Sequence, residues 1–440
     1  MAAPDSICPA APARPATLSG PALFLLVFLP FALGHFLSSL LRTINAVLTP
    51  NLLASIPLSP AQLGLMTSAF FFSFALIQLP VGIALDRYGP RQVQLVLMSV
   101  AAGGILLFSR GQDFADLMLA RAIMGLGLGG CFMSAVKAVS TWIAPAKLPS
   151  VHGYLIAVGG MGAASATLPV KLALQFTDWR GLFVNLAAAV LVIGLLIFLL
   201  TPAPPGAPAR KPITLHDLRQ VYAHPAFRET IALVLIPHMV FFGLQGLWVG
   251  KWLSDVARFP DGAVAYLLYM SMAALIFGAI GFGMLTEWAA RHGVRPLSVA
   301  AGGIAVFIGV QCAIVYNHAP SFQLLSVLFT LIGAVTGLEY AIVTQSMPAG
   351  LTGRAATCLN LLIFVGAFLV QAGFGLILNC WQPNSLHQYP VLAYQVAFGV
   401  LIALQLPGLV LYMLRQSPVW RRAWSIPLGQ ARHGRTGHSC

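Results

Sequence analysis

Gly82-Ile-Ala-Leu-Asp86-Arg87-Tyr-Gly89-Pro-Arg91 closes one long apolar stretch of this chain. The same order (small residue, acid, then Arg-x-Gly-x-Arg) returns as Gly283-Met-Leu-Thr-Glu287-Trp-Ala-Ala-Arg291-His-Gly293-Val-Arg295. The offset is 201 residues at the first Gly and 204 at the Arg, nearly half of 440 residues. An apolar chain that repeats one loop at half its length reads as two copies of one helical bundle.

Composition fixes the class. Residues AVILMFWYC make up 58 % of the chain and charged residues 8 %, with mean hydropathy +0.86. A soluble domain of this size cannot bury so much apolar side chain, and runs long enough to span hydrocarbon recur throughout. The net charge of +13 does not point to nucleic acid, because the basic residues fall between apolar runs and mainly on alternate sides. The six Cys are scattered without paired spacing, which argues against a disulfide framework or a zinc site. The run from Pro21 lacks a convincing cleavage site and reads as a retained first span.

Twelve spans are expected, at roughly 22–48, 61–84, 92–109, 118–140, 151–174, 181–200, 229–250, 263–286, 297–316, 322–346, 355–378 and 392–414. All are helical, since lipid offers the backbone no other partner. With the N-terminus inside, sixteen Lys and Arg fall on the cytoplasmic side and four on the other. That bias places both termini in the cytoplasm, in a bacterial inner membrane. The expected organisation is a tail over 1–21, a six-helix bundle over 22–200 and a proline-rich cytoplasmic linker over 201–228. A second six-helix bundle follows over 229–414, then a basic tail over 415–440.

Together these features resemble the major facilitator superfamily over about 22–414. Gly82-x-x-x-Asp86-Arg87-x-Gly89-x-Arg91 is similar to its signature loop after the second helix, and 283–295 to the weaker counterpart. Arg121-x-x-x-Gly125-x-Gly127-x-Gly129 is similar to the fourth-helix signature, and Asp178-Trp179-Arg180-x-x-Phe183 to a turn before the sixth. The resemblance implies an all-α membrane protein, two pseudo-symmetric six-helix bundles around a cavity that opens to alternate faces. Gating is then expected of Asp86, Arg87, Arg91, Glu287 and Arg291, with plain topological anchoring as the other reading. Arg121, Gly125 and Gly129 are expected to be structural. The fifth helix lacks the glycine–proline pattern of many drug/proton antiporters.

Ionisable residues within spans are costly and point to function. Arg42, Arg121, Lys137 and Lys171 face one acid, Glu339. An excess of buried cations calls for water or an anionic ligand. Arg42 offers a fork for a carboxylate or phosphate, with Asn45 one turn away to orient it; the other placement open to it is among outer headgroups. An Arg here resembles the organic-anion and organophosphate branches of the superfamily, and the latter pair it with a second Arg in the seventh helix. The repeat-equivalent position here is Gln245, near Trp248, which disfavours phosphate esters. Lys137 reads as a second substrate contact or an interfacial lysine. Glu339, near the repeat-equivalent of Lys137, is expected to face it across the cavity and to carry a coupling proton, or else to hydrogen-bond within its bundle. His35, His238, Gln245, Trp248, Asn360 and Gln371 are weaker lining candidates, of which Gln245 and Trp248 are expected among the substrate contacts.

The expectation is a monomeric secondary transporter, not an enzyme, moving a small anionic solute with a proton or a counter-ion. Uptake is the first reading; export of a drug, siderophore or metabolite is the second, and a membrane sensor a distant third. No phosphate-binding glycine loop, metal-spaced set or nucleophile–base constellation is evident, so neither a cofactor nor a metal is expected.

Overall fold

A computed structural model describes residues 20–142, 148–202, 215–316, 321–347, 352–384 and 388–416. Nearly all of the two tails and residues 203–214 of the linker named above lie outside them. Twelve helices are long and apolar enough to cross a membrane. They are α1 (Gly20–Thr43), α2 (Pro60–Leu85), α3 (Arg87–Arg110), α4 (Phe114–Ser140), α5 (Tyr154–Ala173) and α6 (Trp179–Leu200). The second set is α7 (Pro225–Gln245), α8 (Asp261–Arg291), α9 (Pro296–Tyr316), α10 (Phe322–Val343), α11 (Ala355–Leu378) and α12 (Val391–Gln416).

Local sequence explains where several of them start. Ser59 and Gln62 form a reciprocal capping box ahead of α2, with Pro60 in its first turn. Asp113 and Asp178 cap α4 and α6 through backbone N–H groups of the first turn.

The backbone repeats as the sequence does. Gly89 and Gly293, the glycines of the two loop motifs, both adopt φ 77°, a left-handed turn that residues with a Cβ rarely enter. α1 is interrupted at Ile44 and resumes as Asn45–Ser55. Its counterpart α7 breaks at Gly246 and Leu247 and resumes as Trp248–Asp255. The first span therefore ends sooner than its hydropathy suggests, because a short break follows Thr43. α4 breaks at Gly129 and Gly130, and α10 tightens into a 3-10 turn at Ala334–Gly337. Interrupted helices in matching positions of two halves are where spanning proteins concentrate their sites.

Glycines set the packing within the first half. A Cβ on Gly125 would strike Ser73 and the Phe70 carbonyl, one on Gly127 would strike Ala101, and one on Gly129 would strike Ile77. α4 thus lies directly against α2 and α3, as small residues permit where water gives no driving force.

We call the end bearing the Gly82–Arg91 and Gly283–Arg295 loops the basic end, and the opposite one the far end. The contacts that join the halves gather at the far end and in the middle. Gly64 of α2 abuts Trp248 and the Gln371 carbonyl, and Gly375 of α11 abuts the Pro60 carbonyl. Phe74 stacks at 4.2 Å from Phe364, and Phe72 at 5.3 Å from Phe368. Lys171 at the end of α5 pairs with Asp261 at the start of α8 at 3.3 Å.

Candidate functional site

Arg42 sits in the last turn of α1, two residues before the break at Ile44. Its guanidinium carbon lies 4.9 Å from the ring centroid of Phe242 on α7, so one side chain from each half meets here. Arg42 is half-buried and makes no hydrogen bond or ion pair to the described residues. A partly exposed cation over an aromatic face is attracted by about 1 kcal/mol. That contact satisfies none of the five guanidinium N–H donors. The arrangement is therefore incomplete without an acceptor.

Four side chains of the second half continue from that contact. His238 lies one turn before Phe242, with ring centroids 5.6 Å apart. Its Nδ1 is 2.6 Å from Glu339 Oε1. Both atoms remain without an aligned hydrogen bond, so the contact is a close ion or proton-sharing approach off the N–H axis. Glu339 follows the 3-10 turn of α10 and is fully buried. Tyr340, within electrostatic range of Arg42, donates from its hydroxyl to Asn360 Oδ1 at 2.7 Å. Arg42, Phe242, His238, Glu339 and Tyr340 thus form a chain of neighbours linking the cation of one half to the acid of the other.

This differs from the expected facing of Glu339 and Lys137. The partner of Glu339 is His238, on α7 of its own half, because the 3-10 turn aims residue 339 at α7. Lys137 is half-buried on α4, and its carbonyl accepts from Ser140.

Other expected contacts are placed elsewhere. Asn45 is buried and donates to Thr67 Oγ1 at 3.0 Å; the break at Ile44 separates it from Arg42 and turns it toward α2. Gln245 accepts from Thr330 at 3.3 Å inside the second half. Trp248 is fully buried, donates from its indole to the Gln371 carbonyl at 2.9 Å and packs on Phe374. These three belong to the closed far end and to helix contacts in this conformation.

Arg121 is fully buried and donates to the Leu41 carbonyl at 2.9 Å while lying 4.8 Å from the Phe70 ring. It braces the α1 segment that carries Arg42.

At the basic end the side chain of Asp86 lies outside the described residues. Arg87 is exposed and stacks on Tyr88, while Arg91 lies 4.5 Å from the Phe198 ring of α6. The second copy shows the acid–arginine pairing openly: Glu287 and Arg291 meet at 2.6 Å, and Arg295 reaches Glu229 at 3.1 Å. With Glu287 and Arg291 68 % and 74 % exposed, that pair contributes less than about 1 kcal/mol.

Sequence reasoning missed Phe242, the pairing of His238 with Glu339, and Asp261 as the partner of Lys171. Only three-dimensional proximity shows them, since helical faces of distant spans carry no local signal.

A cavity of about 520 Å³ lies away from Arg42, at the far-end loops, lined by Asp255, Arg258, Gln388 and Tyr389 among others. Burial raises the Asp255 carboxyl above its usual range, against the opposing pull of Lys251 at 2.7 Å, the Tyr389 N–H at 3.2 Å and the Tyr394 hydroxyl at 2.8 Å. A carboxylate so fully engaged ties the extension of α7 to the start of α12.

Comparison with known proteins bears on the family and the fold. The sequence model of the Major Facilitator Superfamily matches residues 31–371. A probable sulfoacetate transporter of Cupriavidus necator is 27 % identical over 308 residues, spanning 66 % of this chain and 70 % of that protein. The hexuronate transporter of Bacillus subtilis is 26 % identical over 289 residues, spanning 61 % of this chain and 66 % of its own length. Among solved structures, a bacterial homolog of the human lysosomal transporter Spinster, inward-facing and occupied, superposes with a TM-score of 0.73. It is 17 % identical and covers 88 % of this chain and 95 % of that one, a likeness of fold alone.

Proposed function

The chain belongs to the major facilitator superfamily, and on that premise we propose that it is a secondary transporter of a small organic anion, taken up with a proton by alternating access. The observation that carries this reading is Arg42, a half-buried guanidinium between the halves whose donors meet no acceptor among the described residues. A carboxylate or sulfonate presents two oxygens to that fork and removes the cost of the unpaired charge. Gln245, where a second Arg would accompany a phosphate ester, favours a singly charged head group. The relatives named for sulfoacetate and hexuronate transport are in keeping with such a cargo.

Proton coupling is assigned to Glu339 with His238. A buried carboxyl stands 2.6 Å from an imidazole, and the chain through Phe242 and Tyr340 connects the two to Arg42. Lys137 adds positive potential from the first half. The motif residues Asp86, Arg87, Arg91, Glu287 and Arg291 gate the basic end, both termini lying in the cytoplasm.

Thermal unfolding of the purified protein with a series of anions tests the reading, because a ligand that binds only the native state raises its stability by mass action. A carboxylate or sulfonate in the series should raise the melting temperature of the wild type and leave Arg42→Gln unmoved. Equal stabilisation of both proteins would overturn the assignment of Arg42. Rates in right-side-out against inverted vesicles separate uptake from export.

A further inference from the structure

His35 has no role in the site described so far. It lies seven residues before Arg42 on the same uninterrupted helix segment, Leu29–Thr43. Seven residues at about 100° each return to the same face, about 10 Å along the axis. Side chains lean toward the helix start, so the long Arg42 side chain closes part of that gap.

The ring of His35 is held in an unusual seat. It packs 5.0 Å from the Phe132 ring of α4, and on the other side it rests on Gly159 of α5. A Cβ at residue 159 would collide with Nε2, Cδ2 and Cε1 of the imidazole. One turn further along, Gly162 lets α5 touch the Phe36 backbone, so helix approach alone would require a small residue there. Gly159 is different, because what it accommodates is a side chain. His35 remains half-buried, yet its Nδ1 is buried without a partner. A buried polar atom left unpaired costs roughly 1–3 kcal/mol, and such atoms call for a missing group. The site thus spends a glycine and an unsatisfied nitrogen to keep an imidazole on the Arg42 face.

We infer that His35 is a specificity-determining residue that hydrogen-bonds a second polar group of the cargo while Arg42 holds its anionic head. The inference rests on the reading of Arg42 above and narrows it. Two contacts separated along one helix select an organic acid whose carboxylate or sulfonate is joined by a short carbon chain to a hydroxyl, carbonyl or second acid. A compact inorganic anion, or a short unsubstituted carboxylate, reaches only Arg42.

Equilibrium binding to the full-length protein in nanodiscs tests this with two probes, a hexuronate and acetate, on the wild type and four variants. For the wild type the hexuronate should bind more tightly. His35→Ala should lower its affinity by about tenfold, the loss of one good hydrogen bond, with acetate affinity unchanged. His35→Gln, which keeps a donor and an acceptor, should recover part of the preference. Gly159→Ala, which displaces the ring without altering it, should reproduce the loss. Arg42→Gln should abolish binding of both probes. An unchanged hexuronate-to-acetate ratio in both His35→Ala and Gly159→Ala, with Arg42→Gln inactive, overturns the role of His35 and leaves Arg42 standing. Parallel loss of both probes in His35→Ala assigns the ring to structure alone. Wild-type binding that persists in Arg42→Gln overturns the parent reading together with this one.

Discussion

Arg42 and Glu339 stand on opposite halves, and each is defined by what surrounds it. Arg42 has an aromatic face and no acceptor among the described residues; Glu339 has an imidazole at 2.6 Å and no water-exposed surface. Replacing Arg42 by Lys keeps the charge but loses the planar fork, so affinity for a carboxylate should fall by about tenfold or more. Titration of the purified variant against wild type checks this, and a full-affinity Lys variant would mean that charge alone suffices. Glu339→Gln fixes a neutral side chain of the same shape. It should bind the anion within about threefold of wild type, a difference below 1 kcal/mol, while an imposed pH gradient no longer drives accumulation in proteoliposomes. Gradient-driven uptake by that variant would move the coupling proton elsewhere. Sequence alone identified both residues as costly charges within spans. It could not give their partners, because Phe242 and His238 are ordinary residues until α7 is laid beside α1 and α10.

The helices show why some positions tolerate no substitution and others little. Gly89 and Gly293 share φ 77°, and a Cβ at either would meet no atom within 4 Å. Substitution by Ala there tests backbone strain without steric clash. Each change should cost about 1 kcal/mol, and the double variant the sum, since the two turns lie in different halves. Melting temperatures of the three variants measure this. The repeated loop was legible because its glycines, acids and arginines lie close in sequence. The breaks in α1, α7 and α10 were not, because no proline stands at Ile44, Leu247 or Ala334–Gly337 and the spans that hold them are apolar enough on average to read as continuous helices. Asn45 shows the consequence: one turn from Arg42 on an ideal helix, it is carried instead to Thr67.

As a whole the molecule is two similar six-helix halves whose described contacts with each other gather at the far end and in the middle, and in the alternating-access cycle proposed above that closure exchanges ends. Lys171 and Asp261 join α5 to α8 there at 3.3 Å, with 26 % and 47 % of the side chains exposed. So exposed a pair contributes at most about 1 kcal/mol, enough to tilt a balanced equilibrium several-fold. Lys171→Glu should raise the reactivity of a cysteine introduced in the far-end seal, and adding Asp261→Lys should restore the wild-type value. The twelve-helix duplicated fold followed from hydropathy and the loop repeat, since both are properties of the chain itself. Which ends touch in one conformation is a property of packing between distant helices, and only the structure shows it. Counterflow of a labelled hexuronate or sulfonate into preloaded proteoliposomes tests most directly whether Arg42 receives the cargo. Wild type should accumulate label transiently, and Arg42→Gln, with its melting temperature retained, should not. Counterflow by Arg42→Gln at the wild-type rate would contradict an anion held at Arg42.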